Sequence, residues 1–166
     1  MVVTREVCEK DAKPVGSTLS TKSKLSGKQS PKTKVDKVEM MMIPYASAVG
    51  SLMYALVCTR PDIGYAVGVV DQFMSNLGSD HWAIVKWILR YLKGTLSMCL
   101  QFGSGKPLLE GFTDSDMSTD VDTTSGYVIT YARGVVSWQS RPQKSVALST
   151  TEEEYMVTVE AGKEVI

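Results

Sequence analysis

Residues 108–164 read LLEGFTDSDMSTDVDTTSGYVITYARGVVSWQSRPQKSVALSTTEEEYMVTVEAGKE, and this stretch decides the fold. The alternation in SGYVITYA predicts a half-buried strand, Arg133-Gly134 a turn, and VVSWQS and KSVALS two further strands. Residues 107–112 rise as a strand into an acidic turn that carries Asp114 and Asp116. Glu152, Glu153 and Glu154 open a helix behind the cap candidates Ser149, Thr150 and Thr151. A strand meander followed by a helix can bring the two acidic ends together. Gathered carboxylates repel one another unless a cation sits between them, and hard oxygen donors favour Mg²⁺. That suits a metal-dependent phosphodiester nuclease, in which two ions about 4 Å apart hold the attacking and leaving oxygens. Two plainer readings compete: Asp-rich segments make turns through their own backbone, and STTEEE starts a helix well without any catalysis.

Working outward, the 166 residues hold one ordinary domain or a small domain with an appendage. Apolar residues make up 43%, with three Trp and seven Tyr, enough for a packed core. Net charge is zero but uneven: residues 1–40 carry nine basic against five acidic side chains, so the remainder is acidic overall. Any nucleic-acid contact there must come from a local patch. Cys8, Cys58 and Cys99 lack metal-ligand or redox spacing, and His81 is the single histidine, which excludes a multi-His zinc site. The start MVVTREVCEK lacks a signal-peptide core and no apolar run reaches membrane-span length. A soluble, intracellular protein of the cytoplasm or nucleus, with no membrane partner, is expected.

Residues 1–43 are polar and lack helical periodicity, which predicts a loop or arm, basic enough to touch phosphates but diluted by Asp36 and Glu39. Residues 44–58 predict a helix with Pro44 near its first turn and the small residues Ala46, Ser47, Gly50 and Ser51 open to close packing. A second helix starts at Thr59, with Ile63, Val67, Val70 and Met74 as its buried stripe and Gly78 after its end. Arg60 and Asp62 fit a capping arrangement better than a functional pair. The third helix, DHWAIVKWILRYLKGT, is the clearest: Ser79 or Asp80 caps it, Gly94 ends it, and Trp82, Val85, Leu89 and Leu92 line one side. His81 in its first turn reads as a surface or capping residue. Lys86, Arg90 and Lys93 form one basic stripe, either a solvated face or a track for a nucleic-acid backbone. SMCLQF then adds a short strand, making five β segments before the terminal helix.

FTDSDM, TTSGYVIT, GVVSWQSRPQKSVALSTTEEEY and EAGKE resemble the ribonuclease H domain of copia-type long-terminal-repeat retrotransposon Pol polyproteins. DAKPVGSTLS, SPKTK and IPYASAVGSLMY resemble the segment after the polymerase palm, so the resemblance runs from about Asp11 to the end. It implies an α/β chain: a helical segment followed by an incomplete ribonuclease H-like mixed sheet with one terminal helix. The implied division is a polar arm at 1–43, thumb and connection helices at 44–95, and a ribonuclease H-like domain at 96–166. It implies hydrolysis of RNA in RNA–DNA hybrids, with Asp114 as the first aspartate and Glu154 as the glutamate before an aromatic residue. Asp114, Glu154 and Asp116 would then hold Mg²⁺, with Mn²⁺ as substitute, and Lys86, Arg90 and Lys93 would contact nucleic acid. The rest of the Pol polyprotein is the implied protein partner. No Y-x-D-D polymerase motif occurs in the chain.

Several departures from that family pattern point to lost activity. The sequence stops inside the first nuclease helix, before the family's D-N aspartate, the third metal ligand. An Arg-Lys-containing stretch is missing between Asp122 and Thr123, and Glu153 stands where the family has a small residue. Met117, Ser118 and Thr119 replace an aromatic residue followed by Ala-Gly. Missing later strands would leave an open sheet edge. The expectation is a truncated fragment with little or no cleavage on its own. The alternatives are a non-catalytic nucleic-acid-binding or interaction remnant and the product of a non-functional gene copy.

Overall fold

The computed structural model describes residues 12–19, 34–75, 77–103, 105–116, 124–142 and 149–165. It divides into two compact units, Met1–Met98 and Cys99–Ile166. The first is helical: α1 (Lys34–Met41), α2 (Tyr45–Cys58), a 3-10 turn (Pro61–Ile63), α3 (Gly64–Asp71) and α4 (Ser79–Gly94). The second holds β1 (Leu109–Asp116), β2 (Thr124–Tyr131), β3 (Gly134–Pro142) and α5 (Thr150–Val165). This is the mixed α/β class expected, consistent with an incomplete ribonuclease H-like fold.

In α4, Ile84, Val85, Ile88, Leu89 and Leu92 recur at helical spacing and are buried against Ala48, Val49 and Leu52 of α2 and Ala66, Val67 and Val70 of α3. Each such aliphatic side chain contributes about 1.5–3 kcal/mol on leaving water. The Tyr45 hydroxyl donates to the Val70 carbonyl at 2.7 Å and ties α2 to α3, and burial pushes its pKa up to about 12. Arg60 fixes the 3-10 turn to the end of α4, donating to the carbonyl and the hydroxyl of Thr95 at 3.3 and 2.6 Å.

The structure corrects four expectations here. Residues 34–41 form a helix where a polar arm was expected. The second helix is shorter, a 3-10 turn followed by α3, and Met74 is exposed beyond its end rather than in the buried stripe. The small residues Ala46, Ser47 and Gly50 face outward, and nothing lies within 4 Å of a Cβ built on Gly50. SMCLQF is turn and irregular chain, so the described residues contain three strands; 143–148, including most of KSVALS, lie outside them. No helix among the described residues is long and apolar enough to cross a membrane.

The sheet is antiparallel in the order β1-β2-β3. Ala132 and Arg133, at φ 49° and 64°, make the two-residue hairpin between β2 and β3, where the strand twist demands positive φ. Cross-strand partners share a face. Tyr127 and Ile129 are buried against Ala161, so α5 covers their face. Phe112, Val128 and Trp138 lie level across the three strands on the opposite face, where Phe112 is 59% exposed.

Candidate functional site

β1 carries Asp114 near its end, paired with Gly126, and the side chain is exposed. Strand alternation puts Asp114 on the face of Phe112, opposite the one α5 covers. Asp116 closes the strand opposite Thr124; its side chain lies outside the described set. Glu154 sits exposed in the first turns of α5. That helix is capped as expected, with the Glu152 N–H donating to Ser149 Oγ at 3.2 Å. Glu153 behaves differently from its neighbours. It shares the inner side of α5 with Val157 and Ala161, is 1% exposed, and leaves Oε1 buried without a hydrogen-bond partner among the described residues.

Among the described residues no group of three or more His, Cys, Asp or Glu side chains could hold a metal ion. Asp114 thus lies on the uncovered face and Glu154 on the helix behind the other.

The basic stripe lies on α4. Lys86 is exposed, whereas Arg90 Nε donates to the Lys13 carbonyl at 2.7 Å and Lys93 Nζ to the Ala12 carbonyl at 3.1 Å. Trp87 Nε1 donates to the Ser17 carbonyl at 2.9 Å, and the Arg90 guanidinium lies 5.3 Å from the Trp87 ring centre. Sequence spacing identified the cations, but not Trp87 nor the segment 12–19 laid along them.

Two residues weighed as capping groups prove structural. Arg60 and Asp62 form a two-pronged ion pair at 2.9 and 2.7 Å, and the Tyr91 hydroxyl donates to Asp62 at 2.7 Å. His81 is the capping residue of the two alternatives, buried rather than at the surface: its Nδ1 accepts from the Gly78 N–H at 2.9 Å, and its ring stacks on Phe73 with centroids 4.3 Å apart. A groove of about 740 Å³ runs between α2 and α4, lined by Leu52, Ala55, Leu89, Leu92 and Met98, with Arg60 at its edge. Its walls are mostly apolar.

No family model and no solved structure matches the chain. Curated proteins do. It is 56% identical to the retrovirus-related Pol polyprotein from transposon TNT 1-94 of Nicotiana tabacum over 95% of its own length and 12% of that protein's. It is 38% identical to the corresponding polyprotein from transposon RE2 of Arabidopsis thaliana, over 92% of its own length and 10% of that protein's. A shorter relative, secreted RxLR effector protein 161 of Plasmopara viticola, is 46% identical over 76% of this chain and 92% of its own length. The chain thus spans about a tenth of the transposon polyproteins it matches.

Proposed function

Because the chain belongs to the copia-type retrovirus-related Pol polyproteins of transposons, we propose that it is the part of such a polyprotein where reverse transcriptase passes into ribonuclease H. The observation that carries this reading is the order of its acidic motifs on the fold. TDSD ends the edge strand β1, a three-stranded meander follows, and STTEEEY opens the helix α5. The parent chemistry is metal-dependent hydrolysis of RNA in RNA–DNA hybrids. Asp114, Glu154 and Asp116 are this chain's contribution to the carboxylate set for Mg²⁺ or Mn²⁺, and the remaining polyprotein is the partner that would complete it. The 166 residues by themselves are inactive in this reading, which the opposed placement of Asp114 and α5 supports.

The test is cleavage of an RNA–DNA hybrid by the purified chain in Mg²⁺ and then Mn²⁺, beside a fusion to the downstream part of the tobacco polyprotein. The chain alone should leave the hybrid intact. The fusion should cleave it and lose that cleavage with Asp114→Asn or Glu154→Gln. Cleavage by the chain alone that both substitutions abolish would overturn the inactivity, and a fusion indifferent to both would remove these residues from the site.

A second reading is favoured by one observation: Lys86, Arg90 and Lys93 share a face of α4 with Trp87, whose ring lies against Arg90. Cations interleaved with an aromatic ring suit a nucleic-acid backbone and its bases. In this reading the chain binds hybrid duplex without cutting it, and replacing the three cations together with Gln abolishes a salt-sensitive affinity.

A further inference from the structure

Residues 12–19 run along α4 as a strap without helix or strand that bends at 16–19. Trp87, Arg90 and Lys93, spaced by three on one face of the helix, donate to the carbonyls of Ser17, Lys13 and Ala12 at 2.9, 2.7 and 3.1 Å. Pro14 presses on the helix end: a Cβ built on Gly94 would lie 2.9 Å from Pro14 Cβ and 3.6 Å from the Val15 carbonyl oxygen. Leu19 packs at the edge of the helical core. Yet none of residues 12–19 is buried, and Lys13, Pro14, Gly16 and Ser17 are exposed. The segment is held by three side-chain donors, the Pro14 contact and Leu19 at the edge of the core, and none of its residues is itself part of the buried core.

Those donors are of the kind that bind phosphate. A guanidinium and an ammonium make shorter and stronger hydrogen bonds to an anionic oxygen than to a neutral carbonyl. The carbonyls satisfy the donors' geometry while leaving the charge of Arg90 uncompensated by any described ion pair. We propose that residues 12–19 are an autoinhibitory strap that occupies, in cis, a phosphodiester-binding face formed by Trp87, Arg90 and Lys93. The inference rests on the nucleic-acid-binding reading above and adds its regulation: hybrid duplex and strap compete for the same donors, so the arm sets the affinity. Lys86, which the strap leaves exposed, is the first contact an incoming backbone would make.

Two variants lift the strap without touching the donors. Gly94→Ala puts a methyl group where Pro14 sits, and Gly94 lacks the positive φ that would make alanine strained. Deleting residues 1–19 removes Arg5, Lys10 and Lys13 together with Glu6, Glu9 and Asp11, so net charge is unchanged. The measurement is titration of a fluorescent RNA–DNA hybrid across a range of salt concentrations, with hydrogen exchange of the strap amides and circular dichroism recorded on the same samples. Gly94→Ala in the full chain should accelerate strap exchange, keep its helical signal and bind hybrid about tenfold more tightly. Its salt dependence should steepen by about two phosphate contacts. The deletion should match it, and adding Arg90→Gln and Lys93→Gln should remove the gain. Hybrid bound equally by all forms, with faster strap exchange, would overturn the competition while leaving the binding reading intact. No binding by any form, with the strap shown to be lifted, would overturn both.

Discussion

Arg60 grips Asp62 across two residues with both prongs of its guanidinium, Nε to Oδ1 at 2.9 Å and Nη2 to Oδ2 at 2.7 Å, and the Arg60 side chain is 11% exposed. The same guanidinium holds Thr95, and Asp62 also accepts from Tyr91, so one pair closes the 3-10 turn onto the end of α4. Arg60→Ala should cost about 2–4 kcal/mol in urea unfolding, because Asp62 and Thr95 both lose a largely buried donor. Arg60→Lys should recover less than half of that, since a point charge cannot reproduce the fork. A loss for Arg60→Ala within about 0.5 kcal/mol would show that the network is decorative.

Acid should act on the same pair. The hydrogen bonds from Arg60, followed by those from Tyr91, hold the Asp62 carboxyl below its ordinary range despite partial burial. A carboxyl with a depressed folded pKa contributes stability above its unfolded pKa and loses it as pH falls through the folded value. The wild type should therefore lose stability below about pH 4 more steeply than Asp62→Asn. Chemical unfolding at pH 5 and pH 3 checks this, and parallel slopes for the two proteins would contradict it.

His81 titrates in a different window. Burial lowers its pKa, against a smaller upward pull from the Asp80 charge. Its Nδ1 is needed as an acceptor for the Gly78 N–H, and its Nε2 is buried without a partner, so the neutral ring is the folded form. A depressed folded pKa means stability that is complete above the ordinary histidine value and lost as pH falls below about 6.5. Unfolding midpoints of the helical unit should fall between pH 7.5 and pH 5.5, and His81→Gln, which keeps an acceptor, should flatten that fall. An equal fall in both proteins would assign the effect to other groups.

Local pattern made part of this molecule legible in advance. α4 was readable because its apolar positions repeat at helical spacing over sixteen residues, and α5 because Ser149 stands three residues before Glu152. SMCLQF was misread because a short apolar run becomes a strand only where a ladder receives it. Instead, Gln101 and Phe102 cross the start of β3, close enough that a Cβ on Gly134 would lie 2.7 Å from the Phe102 ring. The cations of α4 were visible, but the acceptors of Arg90 and Lys93 lie 77 and 81 residues away in sequence, beyond any local pattern. The acidic motifs were found by order. Their faces were not, because the side of the sheet that Asp114 takes depends on pairing with Gly126 and on which side α5 covers.

Glu153 is where sequence and packing conflict most openly. Helical spacing commits it to the side of Val157 and Ala161, and among the described residues nothing in the sheet donates a hydrogen bond to Oε1. An unpartnered buried carboxylate oxygen costs about 1–3 kcal/mol relative to an apolar group of fitting size. Glu153→Ala should therefore raise the melting temperature of the sheet unit although it removes side-chain volume, and Glu153→Met, which also fills the space, should raise it further. Glu154→Ala, on the exposed side of the same turn, should change stability by no more than about 0.5 kcal/mol. Thermal unfolding followed by circular dichroism decides the matter. If Glu153→Ala destabilises the protein as an ordinary core truncation does, then its carboxylate has a partner that holds α5 to the sheet.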